Sequence, residues 1–130
     1  MKRILVIEDN EPDLMMLQFA FSEAGITVVL DVIEDGGMAR ERLKSDYQPA
    51  ELPHLVLVDM NVPKGDGLRL LEHIRCCGWL HEVPVVVWSS TRVPRDHEAA
   101  RAFHVADFLV KPADLDGWNQ LARQLAALLA

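Results

Sequence analysis

The chain has 130 residues, 50% hydrophobic and 25% charged, with a net charge of −7. That length sets a single domain over residues 1–130 with one core, and the composition excludes a disordered or fibrous chain. The acidic balance argues against a nucleic-acid partner, which asks for a basic face, and no run approaches the ~20 apolar residues of a membrane span.

Arg3 to Ile7 is a first short apolar strand, too short for a signal peptide and ending in acid, so the cytoplasm is the expected compartment. Asn10 is a good N-cap, and Pro12 is tolerated in a first turn where its missing N–H costs nothing. A helix should run from there to about Ala24, with Leu14, Leu17, Phe21 and Ala24 on one side, and stop at Gly25. Ile26 to Ile33 reads as the second strand. Gly36-Gly37 opens a second helix, Met38 to about Ser45, and Tyr47 to Pro53 is a polar connection.

His54 to Asp59 is a third strand without charge until its last residue, as expected of a strand covered on both faces. The turn-rich Pro63-Lys64-Gly65-Asp66-Gly67 leads to a third helix carrying Leu68, Leu71, His73 and Ile74 and ending around Gly78. Val83 to Trp88 is a fourth strand stopping at Ser89, and a fourth helix should run from about Pro94 to His104. Asp107 to Val110 is a fifth strand. The last helix, about Asp114 to Leu129, aligns Leu115, Trp118, Leu121, Ala122, Leu125 and Leu128 or Leu129 on one face. Strands alternating with helices through short loops specify an α/β fold, a doubly wound five-stranded parallel sheet.

Every strand-to-helix loop of such a sheet lies at one edge, where ligands bind in open α/β folds. That edge receives Glu8 and Asp9 from the first strand, Asp59 from the third, Ser89 from the fourth and Lys111 from the fifth. Three carboxylates together repel unless a cation neutralises them, and a hard divalent ion such as Mg²⁺ suits them, with the Asn61 carbonyl as a further oxygen. A carboxylate beside Mg²⁺ can act as a nucleophile toward phosphorus and form an acyl phosphate. The three phosphoryl oxygens would then be met by the metal, the Lys111 ammonium and the Ser89 hydroxyl. Cys76 and Cys77 are adjacent on a helix and read as free thiols. The five histidines show no zinc spacing and read as surface or boundary residues.

The set Glu8-Asp9, Asp59 with Asn61-Val62-Pro63 and Asp66-Gly67, Ser89, and Lys111-Pro112 resembles the receiver domain of two-component response regulators across essentially the whole chain. The resemblance implies the flavodoxin-like (βα)5 fold, Asp59 as phosphoacceptor, Glu8 and Asp9 as the acidic Mg²⁺ pair, Ser89 as switch hydroxyl, Lys111 as phosphate partner and Phe108 as switch aromatic. It implies a sensor histidine kinase or phosphotransfer protein as partner, and a Lys111-Pro112 bond that is cis. The narrower likeness is to stand-alone receivers that pair with phytochrome-type histidine kinases. Such a chain is not an enzyme with an external product: it catalyses only its own phosphorylation and dephosphorylation. Ala113 stands where the family often has a bulky aromatic. Trp88 faces away from the Ser89 hydroxyl by strand alternation and reads as bulk for helix packing.

A haloacid-dehalogenase-like phosphatase would need an acid two residues after the nucleophile, where Asn61 stands. An FMN-binding flavodoxin would need N–H donors where Glu8-Asp9-Asn10-Glu11 offers anions. A receiver-shaped interaction module that is never phosphorylated is the third alternative. With the chain ending at Ala130, output is expected through a surface built from the fourth helix, fifth strand and fifth helix, where Ala126, Ala127 and Ala130 suit a homodimer.

Overall fold

The computed structural model describes residues 1–44, 52–60, 67–80, 82–90, 98 and 101–129. Its elements are β1 (Lys2–Ile7), α1 (Glu11–Glu23), β2 (Val28–Ile33), α2 (Gly36–Lys44), β3 (Leu55–Asp59), α3 (Gly67–Cys76), a 3₁₀ turn (Gly78–Leu80), β4 (Val85–Ser89), β5 (Asp107–Val110) and α4 (Leu115–Leu129). The five strands form one parallel sheet in the order β2-β1-β3-β4-β5. The fourth helix expected from Pro94 to His104 falls largely outside the described residues. No helix among them is long and apolar enough to cross a membrane.

Strand alternation divides the core in two. Ile4, Val6, Leu55, Leu57, Val86, Trp88 and Leu109 pack beneath α1 and α4. Leu5, Ile7, Val56, Val58, Val85, Val87 and Phe108 pack beneath α2 and α3. Both faces of β3 and β4 are therefore dry, and all five residues of each are buried, which is why these strands carry continuous apolar runs instead of alternating ones.

Where boundaries depart from the sequence reading, backbone hydrogen bonds account for the change. β2 starts at Val28 because the Ile26 N–H donates to Phe21 O at 2.9 Å and the Gly25 N–H to Ser22 O at 3.0 Å. Those bonds cap α1 with Gly25 at φ 71°, so Ile26 has no N–H left for a ladder. β4 starts at Val85 because Pro84 has no N–H to donate, although its carbonyl still accepts from Val56 N at 3.0 Å. The buried stripe of α1 is Leu17, Ala20 and Phe21; Ala24 is its exposed C-cap. Leu70 joins Leu71 and Ile74 in the core from α3. Leu115, expected on the buried face of the last helix, is 58% exposed, and the buried stripe of α4 starts at Trp118.

α4 begins at its cap, Asp114, whose Oδ1 accepts the Gly117 N–H at 2.8 Å. A Cβ on Gly117 would stand 2.7 Å from the Pro112 Cβ, so glycine lets the Lys111-Pro112 segment lie directly on the helix. Helix propensity alone would give Gly117→Ala a gain of up to about 1 kcal/mol. The overlap, against a ring carbon that cannot swing aside, should reverse the sign to a net loss on the order of 1 kcal/mol in urea unfolding. Gly78→Ala, whose Cβ meets nothing within 4 Å, should show no such loss.

Candidate functional site

The carboxyl edge of the sheet gathers its side chains by extending the ladders one residue beyond each strand. The Glu8 N–H donates to Ile33 O at 3.0 Å, continuing β1, and the Lys111 N–H donates to Ser89 O at 2.7 Å, continuing β5. Alternation then puts Glu8 in the row of Ile4 and Val6, Asp59 in the row of Leu55 and Leu57, and Lys111 in the row of Leu109, all on the face covered by α1 and α4. Asn10 caps α1 by accepting the Asp13 N–H on Oδ1 at 3.0 Å. That cap sets the first turn of α1, and with it Asp13, over the same rim.

Lys111 is the centre of the cluster. Its Nζ lies 2.5 Å from Glu8 Oε1, 2.8 Å from Asp13 Oδ2 and 3.4 Å from Asp59 Oδ2. Glu8 is fully buried, and its Oε2 accepts the backbone N–H groups of Asp9 at 3.0 Å and Asn10 at 3.2 Å. Glu8, Asp9 and Asp59 each offer an oxygen within 4.8 Å of the others. At an effective dielectric of ~20, each such pair repels by about 3 kcal/mol, more than one ammonium can offset across the cluster.

The protonation states record this imbalance. Burial is the largest cause that pushes the Glu8 carboxyl up to about 7; the neighbouring Asp59 adds to the rise and Lys111 opposes it. Burial also disfavours the charged form of Lys111, but its contacts with Asp13, Glu8 and Asp59 outweigh that and hold the ammonium well above its ordinary value. Glu8 Oε1 is buried and makes no hydrogen bond of good geometry. An all-oxygen donor set with a buried carboxylate oxygen of this kind fits a hard divalent cation.

Glu8, Asp9, Asp59 and Lys111, named from sequence, thus meet at one rim. Ser89 ends β4 with 4% exposure, in the row of Val85 and Val87, and Phe108 is buried in the cluster beneath α2 and α3. These two residues therefore belong to the opposite face from Lys111. Asn61, the expected carbonyl ligand, lies outside the described residues, as do Val62-Pro63 and Asp66. The Lys111-Pro112 bond, expected cis, is trans, the isomer lower in energy by about 0.5–1 kcal/mol for an X-Pro bond.

Two residues escaped the sequence reading. Asp13 has no role in the sequence reading, although a capped turn beginning at Asn10 puts it over the strand ends. Trp88 does pack against a helix, with its ring centroid 6.0 Å from that of Trp118 in an edge-on contact. It also lies beneath Lys111, whose Nζ is 5.0 Å from the ring centroid. The same alternation that turns Trp88 away from Ser89 turns it toward Lys111.

The family profile of the response regulator receiver domain matches residues 4–123. The chain is 30% identical over 123 residues to the probable methanogenesis regulatory protein FilR2 of Methanothrix harundinacea, covering 94% of this chain and 79% of that protein. It is 32% identical over 116 residues to the response regulator Rcp1 of Synechocystis, covering 88% and 79%. The crystal structure of the phosphorylated cyanobacterial phytochrome response regulator RcpA is similar with a TM-score of 0.83 at 30% identity, over 98% of this chain and 93% of that one. The Mn²⁺-bound form of Rcp1 gives 0.80 at 29% identity, with the same coverage.

The raised Glu8 carboxyl has a measurable sign. Its folded value of about 7 exceeds the ordinary 4.5, so the folded state binds the proton more tightly than the unfolded state. The stability this contributes is complete below about pH 4.5 and is lost as pH rises through about 7. In metal-free protein, the unfolding free energy of the wild type relative to Glu8→Gln should fall across that window by about 3 kcal/mol. A flat difference would show that burial does not perturb this group.

Proposed function

Because the chain belongs to the response regulator receiver family, we propose that Asp59 is its phosphoacceptor, taking a phosphoryl group from a sensor histidine kinase or phosphotransfer protein in an Mg²⁺-dependent reaction. The observation that carries this reading is the Lys111 ammonium 3.4 Å from Asp59 Oδ2 at a rim that also holds Glu8 and Asp9. An Asp59 carboxylate oxygen attacks phosphorus, the donor's P–N bond breaks, and the histidine nitrogen keeps the bonding pair. Lys111 donates to one phosphoryl oxygen and the Ser89 hydroxyl to another, so charge dispersed over the phosphoryl group meets fixed donors. Glu8, Asp9 and Asp59 are the residues that would hold Mg²⁺, which when bound supplies the positive charge that one lysine cannot. The chemistry is self-catalysed and leaves no separate substrate turned over.

The switch belongs to the same proposal. Ser89 draws toward the phosphoryl group, and Phe108 repacks within the layer of α2 and α3. Phe108 has no hydroxyl, so the change works by packing. The readout surface is β5 with α4 and the fourth helix expected from Pro94 to His104, and a groove of about 470 Å³ runs between Phe108–Ala113 and Gly117, Gln120, Leu121 and Gln124. A homodimer through this surface is one form the output takes, without nucleic acid or membrane. The likeness to RcpA, described as a phytochrome response regulator, supports a phytochrome-type histidine kinase as donor. Residence in the cytoplasm completes the reading.

Incubated with acetyl phosphate and Mg²⁺, the protein should gain the mass of one phosphoryl group by intact mass spectrometry, and should gain nothing in EDTA or as Asp59→Asn. Retention of the gain in Asp59→Asn would assign the acceptor elsewhere. Light scattering with beryllofluoride and Mg²⁺ should raise the average mass toward a dimer. An unchanged monomer would remove dimerisation from the output.

A further inference from the structure

Three carboxylates surround the Lys111 ammonium, and they differ in what else they have to do. Glu8 and Asp59 belong to the group of oxygens that fits a divalent cation; Asp13 does not. Asp13 nonetheless makes a contact as close as 2.8 Å with Nζ. A cation taking Glu8 and Asp59 would leave Asp13 as the carboxylate still facing the lysine. Nζ also lies 5.0 Å from the centroid of the Trp88 ring, within the ~6 Å over which a ring face attracts a cation. That ring is fully buried and braced edge-on by Trp118 of α4. Asp13 is held by the cap of α1. Both are therefore fixed features on the one face from which Lys111 projects.

We propose that Asp13 is a positioning residue for Lys111: it holds the ammonium over the Trp88 ring in competition with an aspartyl phosphate, and so sets how readily the phosphorylated geometry is reached. This rests on the reading of Asp59 as phosphoacceptor, and on neither atom of Asp13 touching the phosphoryl group. In the resting protein Lys111 is occupied. To meet a phosphoryl oxygen it must give up part of its contact with Asp13, and that loss is subtracted from what the new contact gains. Removing the Asp13 charge should then favour the phosphorylated state, opposite to what loss of a merely structural ion pair would do.

The test is a double-mutant cycle on the whole chain, with beryllofluoride in saturating Mg²⁺ standing in for the phosphoryl group and affinity read by calorimetry. Asp13→Asn should tighten beryllofluoride binding by roughly three- to fivefold when Lys111 is present, the upper scale of a partly exposed ion pair, and by less than about twofold in a Lys111→Ala background. An equal gain in both backgrounds would reduce Asp13 to a general field effect and overturn the proposal, as would no gain or a loss with Lys111 present. The same four proteins unfolded in urea without metal give a second reading: non-additivity between Asp13 and Lys111 supports the holding contact, and strict additivity overturns it. Failure of the wild type to bind beryllofluoride at all would instead sink the phosphoacceptor reading, and the metal-free cycle would still decide the contact.

Discussion

A single ammonium set among more negative charge than it can neutralise is the constraint around which this molecule is arranged. Lys111 reaches Glu8, Asp13 and Asp59 at once, while Asp9 adds a further carboxylate at the same rim. Repulsion of a few kcal/mol for each anionic pair is comparable with the total stability of a small domain. The fold relieves it partly by raising the proton affinity of Glu8 and partly through backbone N–H donors at the start of α1. What remains is an all-oxygen donor set that fits a small, hard cation. The site is electrostatically unfinished, and function consists in how it is completed.

That tension is tolerable because the rest of the structure is conventional and dry. Parallel strands sealed on both faces fix the rim rigidly, since a slip of one residue in any strand would exchange its two rows of side chains. The registers of β1, β3, β4 and β5 thus locate the acids and the lysine. Gly117 serves the same end at the other side of Lys111, letting Pro112 rest on α4 at a distance no side chain would permit.

Much of this was legible in the sequence, for identifiable reasons. Charge-free runs such as Val85-Val86-Val87-Trp88 belong to strands covered twice, and the edge rule for parallel sheets then brings Glu8, Asp9, Asp59 and Lys111 together without any knowledge of distances. What escaped was set by hydrogen bonds that a hydrophobic pattern does not encode. Ile26 looked like strand and serves as a helix cap; Leu115 matched the helical period but is exposed in the first turn of α4. Asp13 drew no role, and Trp88 drew one where it has two. A residue type suggests how it packs or caps, but which neighbour crosses above it depends on the turn of α1 and on a lysine arriving from 23 positions further along the chain.

The division of the core into two rows bears on how the molecule can change over time. Glu8, Asp59, Trp88 and Lys111 share the side roofed by α1 and α4, whereas Ser89 and Phe108 lie in the rows that face α2 and α3. On the proposed reading the sheet lies between Lys111 and the two switch residues, so Ser89 and Lys111 can meet one phosphoryl group only around the strand ends. A substitution within either row can therefore repack its own layer while the side chains of the other row keep their places.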